Sequence, residues 1–442
     1  MIEPQFESRE ALERWQLDRL NILLSSIIGS NNFYKEKFKK CSLPVESLAH
    51  WREFPTTSKS ELSQNADSKG LAPHLTFPLE QYTRFHRTSG STGKPLIILD
   101  TPEDWINWID AWQSVLDAAS IESHDVVFMA FSFGPFIGFW TAQDACLSRG
   151  CRVVPGGGLS TIARIDLIID SGATVLFSTP SYALHLAETA KKKGIDPRRL
   201  GIRKLVVAGE PGGSIPSIRK RLQDEFETQV TDHAGATEVG PWGFGTTDGF
   251  SLAINEYHFV AEFEPIDQDV GAFYLAKEFI GDADSKSNEA DDRVPLCELI
   301  LTNLSRSGAP AFRYRTGDIV RPALAGSSGA YNTSLQTVLI GGILGRSDQM
   351  MTVRGVNIFP SAIDAIVRSF AEIGEYRLIA AKNGTRDEVT LEIEDSLHQP
   401  QRLVDKLDTN LGLRIAVTEV PVGTFESFAD KSKRFIDRRK QL

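Results

Sequence analysis

The chain has little of what would tie it to a membrane, a nucleic acid or a metal cluster. No apolar run reaches the roughly 20 residues that a membrane-spanning helix needs. Its start, Met1-Ile2-Glu3-Pro4, leads into a charged amphipathic stretch with no signal-like apolar segment. Cations are not in excess: 48 Lys+Arg against 58 Asp+Glu leave a formal net charge of -10. That balance argues against nucleic acid or an anionic membrane as the main partner. The four cysteines, Cys41, Cys146, Cys151 and Cys297, form no C-x-x-C pair and no metal-type spacing with histidine. Cys146 and Cys151 sit in an apolar run and read as reduced core residues, so a cytoplasmic enzyme is expected. A Walker-type phosphate loop is missing too, because Lys94 is followed by Pro95 where that loop needs a hydroxyl for Mg²⁺.

What is present is an ordinary soluble composition, 41% hydrophobic and 24% charged over 442 residues, a length that suggests two domains. Apolar residues from Leu12 to Ile27 recur at helical spacing, predicting a helix over about Ser8 to Ile28. Thr101-Pro102-Glu103-Asp104 reads as a helix start, with Thr101 as cap and acids in the first turn. Strands are expected at Val126–Phe133, Ala173–Ser178, Lys204–Ala208 and Gln229–His233, alternating with helices at Ser181–Lys193 and Ile215–Phe226. That alternation predicts α/β layers with partly parallel sheets. Beyond Gly345 the order becomes strand (Met350–Arg354), helix (Ser361–Phe370), strands (Leu378–Lys382, Glu388–Glu394), helix (Arg402–Leu411), strand (Arg414–Val420). This order predicts a small ferredoxin-like α+β domain. Gly281–Arg293 and Ala323–Thr333 read as the least ordered stretches.

Six stretches are candidates for carrying chemistry. Thr88-Ser89-Gly90-Ser91-Thr92-Gly93-Lys94 combines glycines, which let backbone approach a ligand, with hydroxyl donors and a compact cation, a set suited to polyphosphate. Pro95 disfavours a helix there, so the loop should close between two strands. Gly209-Glu210-Pro211 follows a strand and precedes a helix, at the strand end where α/β proteins bind ligands; an ordinary glycine turn would look the same. In Asp232-His233-Ala234-Gly235-Ala236-Thr237-Glu238, Thr237 can meet a phosphate and Glu238 a hard cation, or Glu238 is a solvated loop acid. Asp318 ends Tyr314-Arg315-Thr316-Gly317 where it can take two ribose hydroxyls, or where a plain turn ends. Gly345-Arg346-Ser347-Asp348 lies at the switch between the two patterns, with planar donors on Arg346 and a hinge at Asp348. Near the end, Asp430-Lys431-Ser432-Lys433-Arg434 by itself reads as a solvated basic tail.

In order and spacing these stretches resemble the adenylate-forming superfamily of acyl-CoA synthetases, peptide-synthetase adenylation domains and luciferases, most nearly its phenylacetate–CoA ligase branch. The resemblance covers roughly Trp51 to Leu442. It implies a large AMP-binding domain over 1–347 and a small mobile domain over 348–442. It also implies a two-step reaction using ATP, Mg²⁺ and coenzyme A. The carboxylate of a small-molecule acid attacks the α-phosphate of ATP, and a thiol then displaces AMP. Carried over by position, Thr88–Lys94 hold the outer phosphates. Gly209, Glu210, Pro211 and Asp232 to Gly235 face the nucleotide base. Thr237 touches the α-phosphate and Glu238 holds Mg²⁺. Asp318 and Arg346 hold the ribose, Asp348 is the hinge and Gly355 lines a thiol channel. Lys431 bridges the reacting anions, a role that Lys433 could also fill. Phe133, Gly134, Phe136, Gly138 and Ala236 line an acid pocket whose aromatics suit an aryl acid.

Two departures stand out. Ala234 occupies the place of the usual adenine-stacking aromatic, for which His233 or Trp242 would compensate, and the branch's cysteine-rich knuckle is absent. Other readings are a carrier-protein or amine acceptor and a non-catalytic nucleotide-binding protein; a phosphotransferase fits less well without the Walker hydroxyl. A homodimer is compatible with the family.

Overall fold

The computed structural model describes residues 6–88, 95–266, 295–324, 335–349, 351–353, 356–383, 386–411, 413–425 and 434–439. Ser89–Lys94, Gly355, Lys431, Lys433 and most of the two stretches expected to be least ordered lie outside the described residues.

The N-terminal helix runs Arg9–Ile27, with the Ser8 side chain accepting from the Ala11 backbone N–H as its cap. After it, β1 (Thr57–Ser58) leads to β2 (Arg84–Arg87) and β3 (Ile97–Asp100), an antiparallel pair that brackets the glycine-rich loop as expected. Thr101 then starts the helix Pro102–Ala118 through a reciprocal capping box with Asp104.

A parallel run follows: β4 (Val126–Met129), β5 (Arg152–Pro155), β6 (Val175–Ser178), β7 (Lys204–Ala208) and β8 (Gln229–Ala236). Antiparallel β9 (Gly240–Gly245) and β10 (Ser251–Ile254) extend that sheet. The chain then forms β11 (Phe259–Pro265), β12 (Cys297–Asn303), β13 (Tyr314–Val320), β14 (Pro322–Leu324), β15 (Thr337–Ile340) and β16 (Gly345–Arg346). The nine-stranded sheet is ordered β14-β15-β10-β9-β8-β7-β6-β4-β5, and a second sheet is ordered β1-β13-β12-β11 with β16 on β13. Helices 161–171, 180–192 and 216–226 bury one face of the large sheet, with Ile165, Leu186 and Leu222 in the seam. Helices 102–118 and 140–149 cover the other face through Trp112, Val115 and Cys146. Strand order reverses around β4, so a crevice opens outside the carboxyl ends of β4 and β6, the place where such sheets bind ligands.

The small domain begins with a hairpin, β17 (Met351–Val353) and β18 (Val356–Ile358), then helix Pro360–Arg368, β19 (Ile373–Asn383), β20 (Arg386–Asp395), helix Gln401–Leu411, β21 (Ala416–Glu419) and β22 (Phe435–Asp437). It is the expected α+β unit with one difference. Among the described residues the first predicted strand pairs within its hairpin and not with the sheet, and β22 takes the edge beside β19 in the order β21-β20-β19-β22.

Three further expectations are corrected. The strand predicted to reach Phe133 stops at Met129, because the chain turns away at Ser132-Phe133-Gly134-Pro135. The strand predicted to end at His233 runs on to Ala236, since β9 pairs Ala234 to Ala236 from the other side. Tyr314–Asp318 form a strand, not a turn: β12 and β16 hold both edges, and Gly317 supplies the kink at φ +76°. Among the described residues no helix is long and apolar enough to cross a membrane, and all four cysteines are free.

Candidate active site

The parallel pairing of β7 with β8 puts Ala208 opposite His233, so Gly209-Glu210-Pro211 emerge beside the acidic motif. Gly209 adopts φ +86°, which an L side chain resists, and turns the chain out of the sheet. Glu210 accepts from the Ser181 N–H at 2.7 Å, so its carboxylate caps the start of the neighbouring helix. Asp232 is buried and accepts from Ser214 Oγ at 2.7 Å. Burial raises its pKa to about 6 against the hydrogen bond from Ser214. Ala234 and Trp242 pack in the core with Leu252 and Phe259, so Trp242 does not stand in for the missing aromatic. Gly235 is exposed while Ala236 and Thr237 are half-buried, which presents the motif's tip to solvent.

Arg306, from the loop after β12, anchors this motif. Its guanidinium is fully buried and lies 2.6 Å from Asp100 Oδ1 on β3. The same group donates to the backbone carbonyls of Thr237 (3.1 Å) and Glu238 (2.9 Å). One side chain thus ties the hairpin that carries the glycine-rich loop to the Thr-Glu pair. Asp104 fixes the same loop by accepting from the Ser307 and Gly308 N–H groups.

The Glu238 carboxylate is buried, and Lys59 Nζ lies 3.0 Å from its Oε1. Lys59 is positioned because Thr57 and Ser58 pair with Tyr314 and Arg315 of β13. This brings the ribose candidates to the same place. Asp318 faces Arg346 across the β13–β16 pair, with Nη1 at 3.0 Å from Oδ1. Burial raises Asp318 to a pKa of about 6, and the adjacent guanidinium opposes the shift. Arg346 also reaches Asp348 Oδ1 at 3.0 Å, in the short helical turn Ser347–Gln349.

The expected acid wall forms an aromatic cluster at the switch point. Phe131, Phe133, Phe139 and Trp140 pack with ring centroids 4.5 to 4.7 Å apart. Trp140 Nε1 donates to the Gly134 carbonyl, and Arg87 N–H donates to Pro135, which fastens the loop to β2. Phe136 and Gly138 are exposed on that loop. His233 continues the cluster, with its ring 4.1 Å from Trp112.

The site therefore joins Thr88, Gly209 to Pro211, Asp232 to Glu238, Asp318 and Arg346 along the strand ends. Lys59, Asp100, Asp104, Ser214 and Arg306 were not anticipated. Their roles come from partners distant in sequence, as Lys59 with Glu238, Arg306 with Asp100 and Ser214 with Asp232, and only folding brings these together. The model for AMP-binding enzymes matches residues 47–258, and that for the AMP-binding enzyme C-terminal domain matches 355–439. The chain belongs to the adenylate-forming AMP-binding enzymes. Its relatives in this family include a phenylacetate-coenzyme A ligase of Pseudomonas putida, 29% identical over 98% of this chain and 95% of that one. Another, from Thermus thermophilus, is 26% identical over the full length of both. A crystal structure of 2-hydroxyisobutyryl-CoA ligase in its postadenylation state aligns with TM-score 0.84 at 23% identity, covering 99% of this chain and 94% of that one. The same ligase in its thioesterification state aligns at 0.68.

Proposed function

We propose that this protein is an AMP-forming acid–thiol ligase that activates an aromatic carboxylic acid and passes the acyl group to coenzyme A. One observation carries the reading: Arg306 and the β1–β13 pairing gather the Thr237-Glu238 motif, the glycine-loop hairpin and the Asp318–Arg346 pair at one set of strand ends. In the first step a carboxylate oxygen attacks the α-phosphorus, and the bond to the β-phosphate breaks to release pyrophosphate. In the second, the thiol sulfur attacks the acyl carbon and AMP leaves. Asp318 accepts from the ribose hydroxyls while Arg346 keeps it charged. Thr237 donates to an α-phosphate oxygen, and the backbone around Gly209 borders the base. Glu238 suits Mg²⁺, which keeps several waters and takes one or two carboxylates together with phosphate oxygens. That ion would neutralise phosphate charge.

Lys431, supplied by the small domain, is the proposed bridging cation of the first step. Asp348 is the proposed hinge between domains of 1–347 and 348–442, and Gly355 the proposed border of the thiol channel. Alignment with one state of a neighbouring ligase better than with another supports such a moving unit. The buried free thiols suit a cytoplasmic enzyme. The test is pyrophosphate exchange into ATP over a panel of acids, followed by thioester formation with coenzyme A. Exchange without thioester would point to a carrier-protein or amine acceptor, and exchange with no acid would reject the ligase reading.

A further inference from the structure

The aromatic cluster at the switch point contains one polar side chain whose hydrogen-bonding capacity is not used up. His233 is 8% exposed. Its Nδ1 lies 2.7 Å from the Gly243 carbonyl oxygen, which can only accept, so Nδ1 carries the proton. The ring is neutral, since burial lowers its pKa to about 4. Nε2 therefore presents a bare lone pair, and among the described residues no donor meets it. That atom points toward Gly235, where an added Cβ would sit 3.3 Å from it. Gly235 is exposed at the motif's tip. The ring packs against Trp112, with centroids 4.1 Å apart, and Trp112 packs against Phe139 and Phe177. An apolar wall would recognise an acid by shape alone. A fixed acceptor set into that wall recognises a donor, because leaving a nearly buried lone pair unpaired against an apolar ligand forfeits its hydration.

We propose that His233 is a specificity-determining residue of the acid site, and that the acid carries a hydroxyl or amino group that donates to Nε2. This rests on the ligase reading above and narrows it to donor-bearing aromatic acids. The same atom could serve a different donor, the exocyclic amine of adenine, and the experiment separates the two.

The test compares benzoates and phenylacetates bearing hydroxyl or amino groups with their unsubstituted and methoxy counterparts, the methoxy group having similar bulk but no donor. Acid-dependent pyrophosphate exchange is measured for the parent, His233→Leu and His233→Gln, with thermal melting to establish folding. The parent should prefer the best donor-bearing acid by about 10- to 100-fold in kcat/KM over its methoxy counterpart. His233→Leu should erase that ratio, and His233→Gln, which keeps an acceptor, should restore part of it. Exchange with no donor preference, or a ratio that survives in the Leu variant, overturns the proposal and leaves the ligase reading standing. A raised KM for ATP with an unaltered acid ratio assigns Nε2 to the nucleotide and also overturns it. Should His233→Leu fail to fold, the Gln variant and the parent's hydroxyl-to-methoxy ratio still decide. No exchange with any acid defeats both readings.

Discussion

Replacing Arg306 by Met separates what the buried guanidinium does for stability from what it does for the site. In the folded chain Arg306 and Asp100 are both fully inaccessible, and the pair is closed by contacts of 2.6 and 2.8 Å. The guanidinium also lies over Trp108, 4.9 Å from the ring centroid. Asp100 has a pKa raised to about 6 by burial even with this cation beside it. Arg306→Met leaves that carboxyl alone and unties the carbonyls of Thr237 and Glu238. Breaking one side of a buried pair typically costs about 3–5 kcal/mol, a large part of the roughly 5–15 kcal/mol that holds a domain together. The double variant Arg306→Met/Asp100→Leu removes both charges, and such replacements are often neutral or stabilising. Urea unfolding should therefore show a large loss in the single variant and recovery of most of it in the double variant. Pyrophosphate exchange should not recover, because the Thr237 and Glu238 carbonyls have still lost the guanidinium that orients them. Restored exchange in the double variant would refute the positioning role, and a single-variant loss under about 1 kcal/mol would refute the energetics.

Asp318 should make ATP binding pH-dependent. Its folded pKa of about 6 lies above the ordinary 3.8, so its charged form costs stability as pH rises through that window; ribose binding, which needs the acceptor, weakens as pH falls through it. KM for ATP should rise several-fold from pH 7.5 to 5.5, and Asp318→Asn should remove that dependence, which distinguishes it from Asp100 and Asp232 in the same range. Lys59→Ala frees Glu238 of its cation and should lower the Mg²⁺ needed for half-maximal exchange; an unchanged requirement would separate Glu238 from the metal. Lys431→Ala should slow adenylation by about 10²–10³ while transfer from supplied acyl-adenylate persists; single-turnover rates with Lys433→Ala as control decide the assignment. Asp348→Pro should impair thioester formation more than exchange, and equal losses would reject the hinge.

The α/β alternation was legible where a helix carries its own start signal: Thr101 with Asp104, and Thr179 before Pro180, mark helix starts by local hydrogen bonds that short sequence specifies, whereas helix 140–149 has no side-chain cap. Lys204–Ala208 was readable for a related reason, as a short apolar run closed by Gly209. Strand extent was less legible. Whether Asp232 to Ala236 continue β8 is decided by β9 arriving from the far side, and the isolated motif looks like a loop. Pairing across the small domain had the same weakness, since β22 reaches β19 from more than fifty residues away.

The site divides along that line. Residues that would touch the nucleotide announce themselves, because close backbone approach demands glycine, and hydroxyls and acids beside glycine form a pattern. Residues that hold them do not. Arg306 is a single arginine in Ser305-Arg306-Ser307-Gly308, and its meaning comes from Asp100, more than two hundred positions earlier. Lys59 opens a short helix and meets Glu238 only because β1 lies on β13. His233 shows the limit most clearly. In sequence it is one residue of a motif expected to face the nucleotide base, with a ring that could replace the missing aromatic. Its tautomer is set by the Gly243 carbonyl across the β8–β9 hairpin, and its apolar setting by Trp112 on a helix from the other layer. Both neighbours come from tertiary pairing, so the same histidine letter carries either a stacking ring or a directional acceptor, and the fold chooses the acceptor.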